Sequence, residues 1–217
     1  MNAKVANTAT VVIAACAVAV TAMVARREFF ARPVAETNLV REIAGWRELP
    51  NAGHVIGMKD APIKIIEFAD FQCPYCRQTH FQFRLMAEQY PGQVAVVYRH
   101  FPLSSHPFAF AAAVASECAA AQGRFTAFHD ALYEHQDSLG IKPWTDFARA
   151  VNVPDVPEFR QCFAERRFEQ RVRRDRALGD SIGVRGTPTV IVNGLLLSGM
   201  VSVAKWEELI DEALAGE

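Results

Sequence analysis

Residues 63–90 read IKIIEFADFQCPYCRQTHFQFRLMAEQY, and the change of pattern inside them decides the fold. The apolar run IKIIEFADF is strand-like and follows a Lys-Asp-Ala-Pro turn; the residues after Cys73 are helix-like as far as Pro91 and Gly92, which stop them. Two thiols, Cys73 and Cys76, therefore stand at a helix start. Unpaired backbone N–H groups and the positive end of the peptide dipoles favour a thiolate there, and the thiolate is the attacking form. Cys76, three residues on, faces the same side and can close a disulfide or resolve a mixed disulfide with a substrate. Pro74 suits the first turn because its missing N–H loses no bond there.

A zinc half-site is the main alternative, since CxxC also supplies two tetrahedral ligands. The other half is absent from the sequence. The remaining cysteines are Cys16, Cys118 and Cys162, none in a second CxxC, and no histidine pair follows at finger-like spacing, so no metal is expected. His80 lies four residues after Cys76 with no further ligand suggested nearby; His100, His106, His129 and His135 are scattered and read as surface or hydrogen-bonded structural residues. No glycine-rich nucleotide loop occurs, so no cofactor is expected and electrons come from thiols or a redox partner.

Working outward, VAVVYRHF at 94–101 is a second apolar strand. Strand, helix, strand with short joins indicates a parallel pair and a right-handed crossover, with chemistry at the carboxyl ends of the strands, where the cysteines sit. Residues from about 107 to 178 carry helical patterning, an insertion between strands. PTVIVNG and LLLSGM then form two short strands around Asn193 and Gly194, a pair that favours a tight hairpin, and VAKWEELIDEAL closes the chain as a helix. The expected layout is a membrane anchor or signal segment at 1–25, a connector with a short helix at 26–51, and one α/β domain at 52–217 with its helical insertion.

Residues 5–25 hold no charge and are long enough to span a bilayer core as a helix. Three readings stay open: an uncleaved membrane anchor, a signal peptide cut after small residues such as Ala22 or Ala19, and a lipidated Cys16. Each places the domain in a periplasmic or extracytoplasmic, oxidising compartment, where disulfides persist. The net charge of -1 calls for no nucleic acid. The basic run RRFEQRVRRDR at 166–176 is interrupted by acids and reads as a solvated helix face.

CPYC, the inserted helices, GTPT before a hairpin and the terminal helix together resemble the DsbA-like thiol-disulfide oxidoreductases of the thioredoxin superfamily. The similar pieces are IIEFADFQCPYCRQ at 65–78 (with Glu67 near its start), HDALYEHQ at 129–136 and LGDSIGVRGTPTVIVNG at 178–194. The resemblance implies a thioredoxin-like fold with an all-helical insertion. It implies that Cys73 is the exposed attacking thiol and Cys76 the buried resolving thiol. Thr187 would precede a cis Pro188 that packs against the disulfide and, with Tyr75, meets substrate. It also places Glu67 beneath the CxxC pair, where burial raises its pKa and lets it exchange a proton with Cys76; strand alternation alone leaves an exposed edge-strand glutamate open. Some members carry a second disulfide in the insertion, which would pair Cys118 with Cys162; two separate core thiols remain the alternative.

The implied activity is introduction of disulfides into exported proteins. Partners are then reduced or misoxidised exported proteins and a redox-recycling partner, expected in the membrane. Tyr75 stands where DsbA has His, and CPYC is a glutaredoxin-type dipeptide, so the expected potential lies below about -120 mV and near -200 mV. Thr187 before Pro188 is also isomerase-like, which keeps isomerase or reductase open. From another class, a peptide-binding chaperone whose Cys73–Cys76 bridge is only a staple also fits.

Overall fold

The computed structural model describes residues 41–215. The reading of residues 5–25 as a membrane segment lies outside them. The expectation of a membrane protein is corrected to what is observed: among the described residues, no helix is long and apolar enough to cross a membrane.

The first described strand, β1 (Arg41–Glu42), leads through a 3-10 turn at Trp46–Ala52 to β2 (His54–Gly57) and β3 (Ile63–Ala69). Helix α1 (Pro74–Gln89) and β4 (Val94–His100) follow. The insertion is α2 (Ala109–Ala120), α3 (Phe125–Glu134), α4 (Trp144–Ala150), α5 (Val156–Ala164) and α6 (Glu169–Ser181). Strands β5 (Thr189–Val192) and β6 (Leu195–Ser198) and helix α7 (Val203–Ala215) complete it. The six described strands form one sheet in the order β1-β6-β5-β3-β4-β2. The β3–β4 pair is parallel and the other pairs are antiparallel.

The observed sheet joins the strands expected at 63–69, 94–100 and 189–193. Strand β3 lies at its centre, between β5 and β4, so both of its edges are paired. Ile63 and Ile65 pack with Phe83 and Met86 of α1 and Trp206, Leu209 and Ile210 of α7. Ile66 and Phe68 pack on the opposite side with Leu49, Phe101 and Val184. Helix α1 turns Cys76, Thr79, His80, Phe83 and Met86 inward, the three-and-four spacing of a one-sided helix. Helix α6 comes close to the sheet at Gly179, where a Cβ would meet the Phe101 ring at 2.7 Å and Phe68 at 3.1 Å. The β5–β6 turn has φ of 47° at Asn193 and 85° at Gly194, the left-handed pair that a tight hairpin requires.

The first described residues are tied to the sheet. β1 pairs with β6, the Ile43 N–H donates to the Gly194 carbonyl at 2.7 Å, and Ile43 and Leu49 are buried in the core. A two-residue strand has no periodicity to read, so its pairing is set by the open edge of β6.

Cys118 of α2 and Cys162 of α5 form a disulfide with their Cα atoms 5.9 Å apart, 44 residues apart in sequence. Opening a loop of that length releases chain entropy equivalent to about 4 kcal/mol in the unfolded state. A Cys118→Ala, Cys162→Ala variant should lose up to that amount in denaturant unfolding while keeping the reactivity of Cys73; unchanged stability would show that the bridge does not constrain the unfolded chain.

Candidate active site

The site is built where β3 ends and α1 begins. Cys73 is the N-cap of α1, with extended backbone, and Pro74 takes the first helical position. Asp70, buried after the last residue of β3, ties down the loop between: its carboxylate accepts from the N–H groups of Gln72 at 2.7 Å and Leu103 at 2.8 Å, and from His106 Nδ1 at 2.7 Å. Gln136, beyond α3, donates its side-chain amide to the carbonyls of Phe71 at 2.8 Å and Cys73 at 2.9 Å. The sequence reading missed both. An acid directly after an apolar strand was the available signal for Asp70; nothing local marks Gln136.

Cys73 and Cys76 are both present as thiols. The expectation of an exposed Cys73 is corrected: the residue is only 3% exposed. The loop before β5 covers it, and its Sγ–H donates to the Thr187 carbonyl at 3.3 Å. The Thr187–Pro188 bond is cis. Pro188 is buried and Thr187 half-buried. Tyr75, in the first turn of α1, is half exposed.

The two thiols differ sharply in acidity. A hydrogen bond from the Cys76 thiol, then one from the Thr187 side chain and the N–H groups of Cys76 and Tyr75, lowers Cys73 to about 6 against the desolvation that opposes it. Burial pushes Cys76 well above its ordinary value, and the nearby charges of Cys73 and Glu67 push it further. Near neutral pH the thiolate form is favoured at Cys73 and disfavoured at Cys76.

Glu67 sits on central β3, paired in register with Tyr98 and Val190, and is 1% exposed. Its Oε1 is buried without a hydrogen-bond partner. Burial, with a smaller contribution from the Cys73 charge, raises it to about 8. The histidines read as scattered are in part gathered: His80 approaches His129 and Asp130, and His54 and His100 share Glu117.

The raised Glu67 has a signed effect on stability. Its folded pKa lies above the ordinary 4.5, so from about pH 4.5 to about 8 the folded state holds the extra proton and stability falls as pH rises. Glu67→Gln should therefore unfold at nearly the wild-type temperature at pH 4 and at a clearly higher one at pH 8.5. Several kcal/mol are at stake, since each pKa unit is about 1.4 kcal/mol. Equal unfolding temperatures at pH 8.5 would mean that the carboxyl is hydrated.

Residues 50–212 match the family model described as thioredoxin. A Na(+)/H(+) antiporter NhaA 3 of Salinispora tropica is 38% identical over 167 residues, covering 76% of this chain and 25% of the antiporter. An NhaA 1 of Mycolicibacterium gilvum is 37% identical over 150 residues, covering 67% of this chain and 24% of that protein. The chain thus spans about a quarter of the length of the curated relatives it matches. Among solved structures, a thioredoxin-like oxidoreductase from Silicibacter pomeroyi is similar with a TM-score of 0.67 and 26% identity, over 79% of this chain and 99% of that one. BdbD from Bacillus subtilis shares the fold with a TM-score of 0.68 at 22% identity, over 76% of this chain and 94% of that one. With the dithiol at the head of α1, the inserted helices and the loop before β5 all in this arrangement, the chain belongs to the DsbA-like thiol-disulfide oxidoreductases of the thioredoxin superfamily.

Proposed function

We propose that this domain introduces disulfides into exported proteins in an extracytoplasmic compartment, with Cys73 as the exchanging thiol. The observation that carries the reading is the acidity split across one helix start: Cys73 lowered to about 6, Cys76 raised well above 9. In the oxidised enzyme, a substrate thiolate attacks Sγ of Cys73, the Cys73–Cys76 bond breaks, and Cys76 leaves as a thiolate. That thiolate is a strong base in a dry site. Glu67, protonated at neutral pH, supplies its proton. A second substrate thiolate then attacks the substrate sulfur of the mixed disulfide, and Cys73 departs as a thiolate, the better leaving group of the pair. Two substrate thiols become one disulfide, and the enzyme holds the two electrons as its dithiol until a recycling oxidant removes them.

The backbone at Thr187 and the ring of Tyr75 border Cys73 and hold the substrate chain across it. The Cys118–Cys162 bridge is structural, outside the exchange. Stabilising the Cys73 thiolate stabilises the reduced enzyme and so makes the disulfide more oxidising. A value of about 6 lies between thioredoxin, about 7, and DsbA, about 3.5, which supports a potential between theirs, about -270 and -120 mV.

Burial of Cys73 favours one second reading, a peptide-binding module in which the pair is a staple. Alkylation of the reduced protein separates the two: Cys73 should react alone, with its rate rising through about pH 6, whereas two equally inert thiols would establish the staple. Function is tested by the dithiol potential in a Cys118→Ala, Cys162→Ala background together with oxidative refolding of a reduced substrate. A potential near or above -200 mV with rapid oxidation is expected. One near about -270 mV with efficient reduction and little oxidation would make the domain a reductase, and repair of scrambled disulfides would make it an isomerase. Cys73→Ser should abolish turnover; retained turnover would move the chemistry off this CxxC.

A further inference from the structure

Two clusters of side chains with metal-ligating atoms occur among the described residues. The first, His54, His100 and Glu117, is already closed. The imidazoles reach Glu117 Oε1 at 2.7 and 2.9 Å, and Arg171 Nε reaches the same oxygen at 3.0 Å. The guanidinium supplies the positive charge that a cation would bring.

The second is open. His80 of α1 and His129 and Asp130 of α3 each bring one ligand atom within 4.8 Å of the other two. Asp130 Oδ1 lies 2.8 Å from His129 Nδ1 and 3.9 Å from His80 Nδ1. Zinc bonds to nitrogen and oxygen of about 2.0–2.1 Å set ligand atoms of a tetrahedral centre roughly 3.4 Å apart. Small side-chain rotations therefore suffice.

Both imidazoles are nine-tenths buried or more, and Nε2 of each has no hydrogen-bond partner. The nitrogens that face Asp130 are the Nδ1 atoms, so the site rests on the Nδ1 and Oδ1 geometry and not on these Nε2 atoms. Their rings are held: His80 stacks on Tyr133 at 5.2 Å and Phe71 meets His129 edge-on at 5.7 Å. The cluster walls a cavity of about 280 Å³ that Glu67 and Glu134 also line, with room for water at an open ligand position. Arg84 lines it too, but its charge is offset by Glu134 at 2.9 Å.

We propose that His80, His129 and Asp130 bind one first-row divalent transition cation of the zinc class, with water from the cavity completing the tetrahedron. Two imidazoles and one carboxylate suit zinc, cobalt or nickel, whereas calcium and magnesium require sets of oxygen ligands. The site is separate from the dithiol, although His80 lies one helical turn from Cys76.

The test uses the full, untagged chain with Cys73 and Cys76 oxidised, so that neither thiol can ligate. Titration calorimetry with Zn2+ should give one site per chain, and Co2+ should develop the visible absorption of a tetrahedral centre. At a hundredfold excess over its dissociation constant, Zn2+ should raise the unfolding temperature by roughly 5–10 °C. Asp130→Asn, at a partly exposed position that keeps the fold, and His80→Gln should each weaken binding at least tenfold, with circular dichroism reporting that the fold is intact. His54→Ala should bind as the wild type does. Absence of saturable Zn2+ binding to the oxidised chain, wild-type binding by both Asp130→Asn and His80→Gln, or loss of binding in His54→Ala would each overturn the assignment.

Discussion

Removal of Cys76 and Glu67 from water is the constraint on which the site depends. Both groups are neutral where they stand, because desolvation raises a thiol and a carboxyl alike. Their neutrality leaves the neighbouring sulfur as the place where negative charge can settle. The Cys76 thiol then donates toward Cys73, and the helix start adds its N–H groups. A hydrated Cys76 would compete for the same charge, and the pair would lose its difference in acidity. The sheet provides the dryness. Glu67 is on the central strand, and α1 lays Cys76 over the same core that holds Phe71 and Tyr98.

Holding Cys73 at the edge of that core is a separate task, and the inserted helices share it. The carbonyls of Phe71 and Cys73 both accept from Gln136, which follows α3, and Asp70 gathers the loop from below through Leu103 and His106. The insertion is therefore part of the active-site scaffold. Its own rigidity comes from the α2–α5 disulfide and from Phe128, Phe147 and Phe159 packed within one core. Arg99 and Asp175, a buried pair at 2.8 Å, join β4 to α6 on the other side of the sheet.

What the sequence discloses about this fold follows from the range of the interactions. Alternation and apolar runs are local, so IKIIEFA and VAVVYRH announce β3 and β4, and the CxxC followed by helix formers announces α1. Asn193 and Gly194 declare their turn because positive φ is a property of single residues. Features made by distant parts of the chain are silent. The burial of Cys73 depends on Thr187, more than a hundred residues on, and His80 meets His129 only because α1 and α3 pack together. The pairing of β1 with β6 is equally invisible, since two residues carry no period. Glu67 lies between these cases: its place on a strand is legible, whereas its burial follows from that strand being central.

Tyr75 occupies the position between Pro74 and Cys76, and its phenol carries no positive charge to offer the Cys73 thiolate. The groups that lower Cys73 are a thiol, Thr187 and backbone N–H groups, all of them neutral dipoles. Such stabilisation differs in kind from an ion pair. Salt screens separated surface charges over about 8–10 Å, but it has little hold on hydrogen bonds made to a buried sulfur. The acidity of Cys73 is thus a property of packing, set by how closely α1 and the loop before β5 are held together. Substitutions in the loop around Thr187 and Pro188 act on it directly through contact with the sulfur, while changes in surface charge have no short path to it.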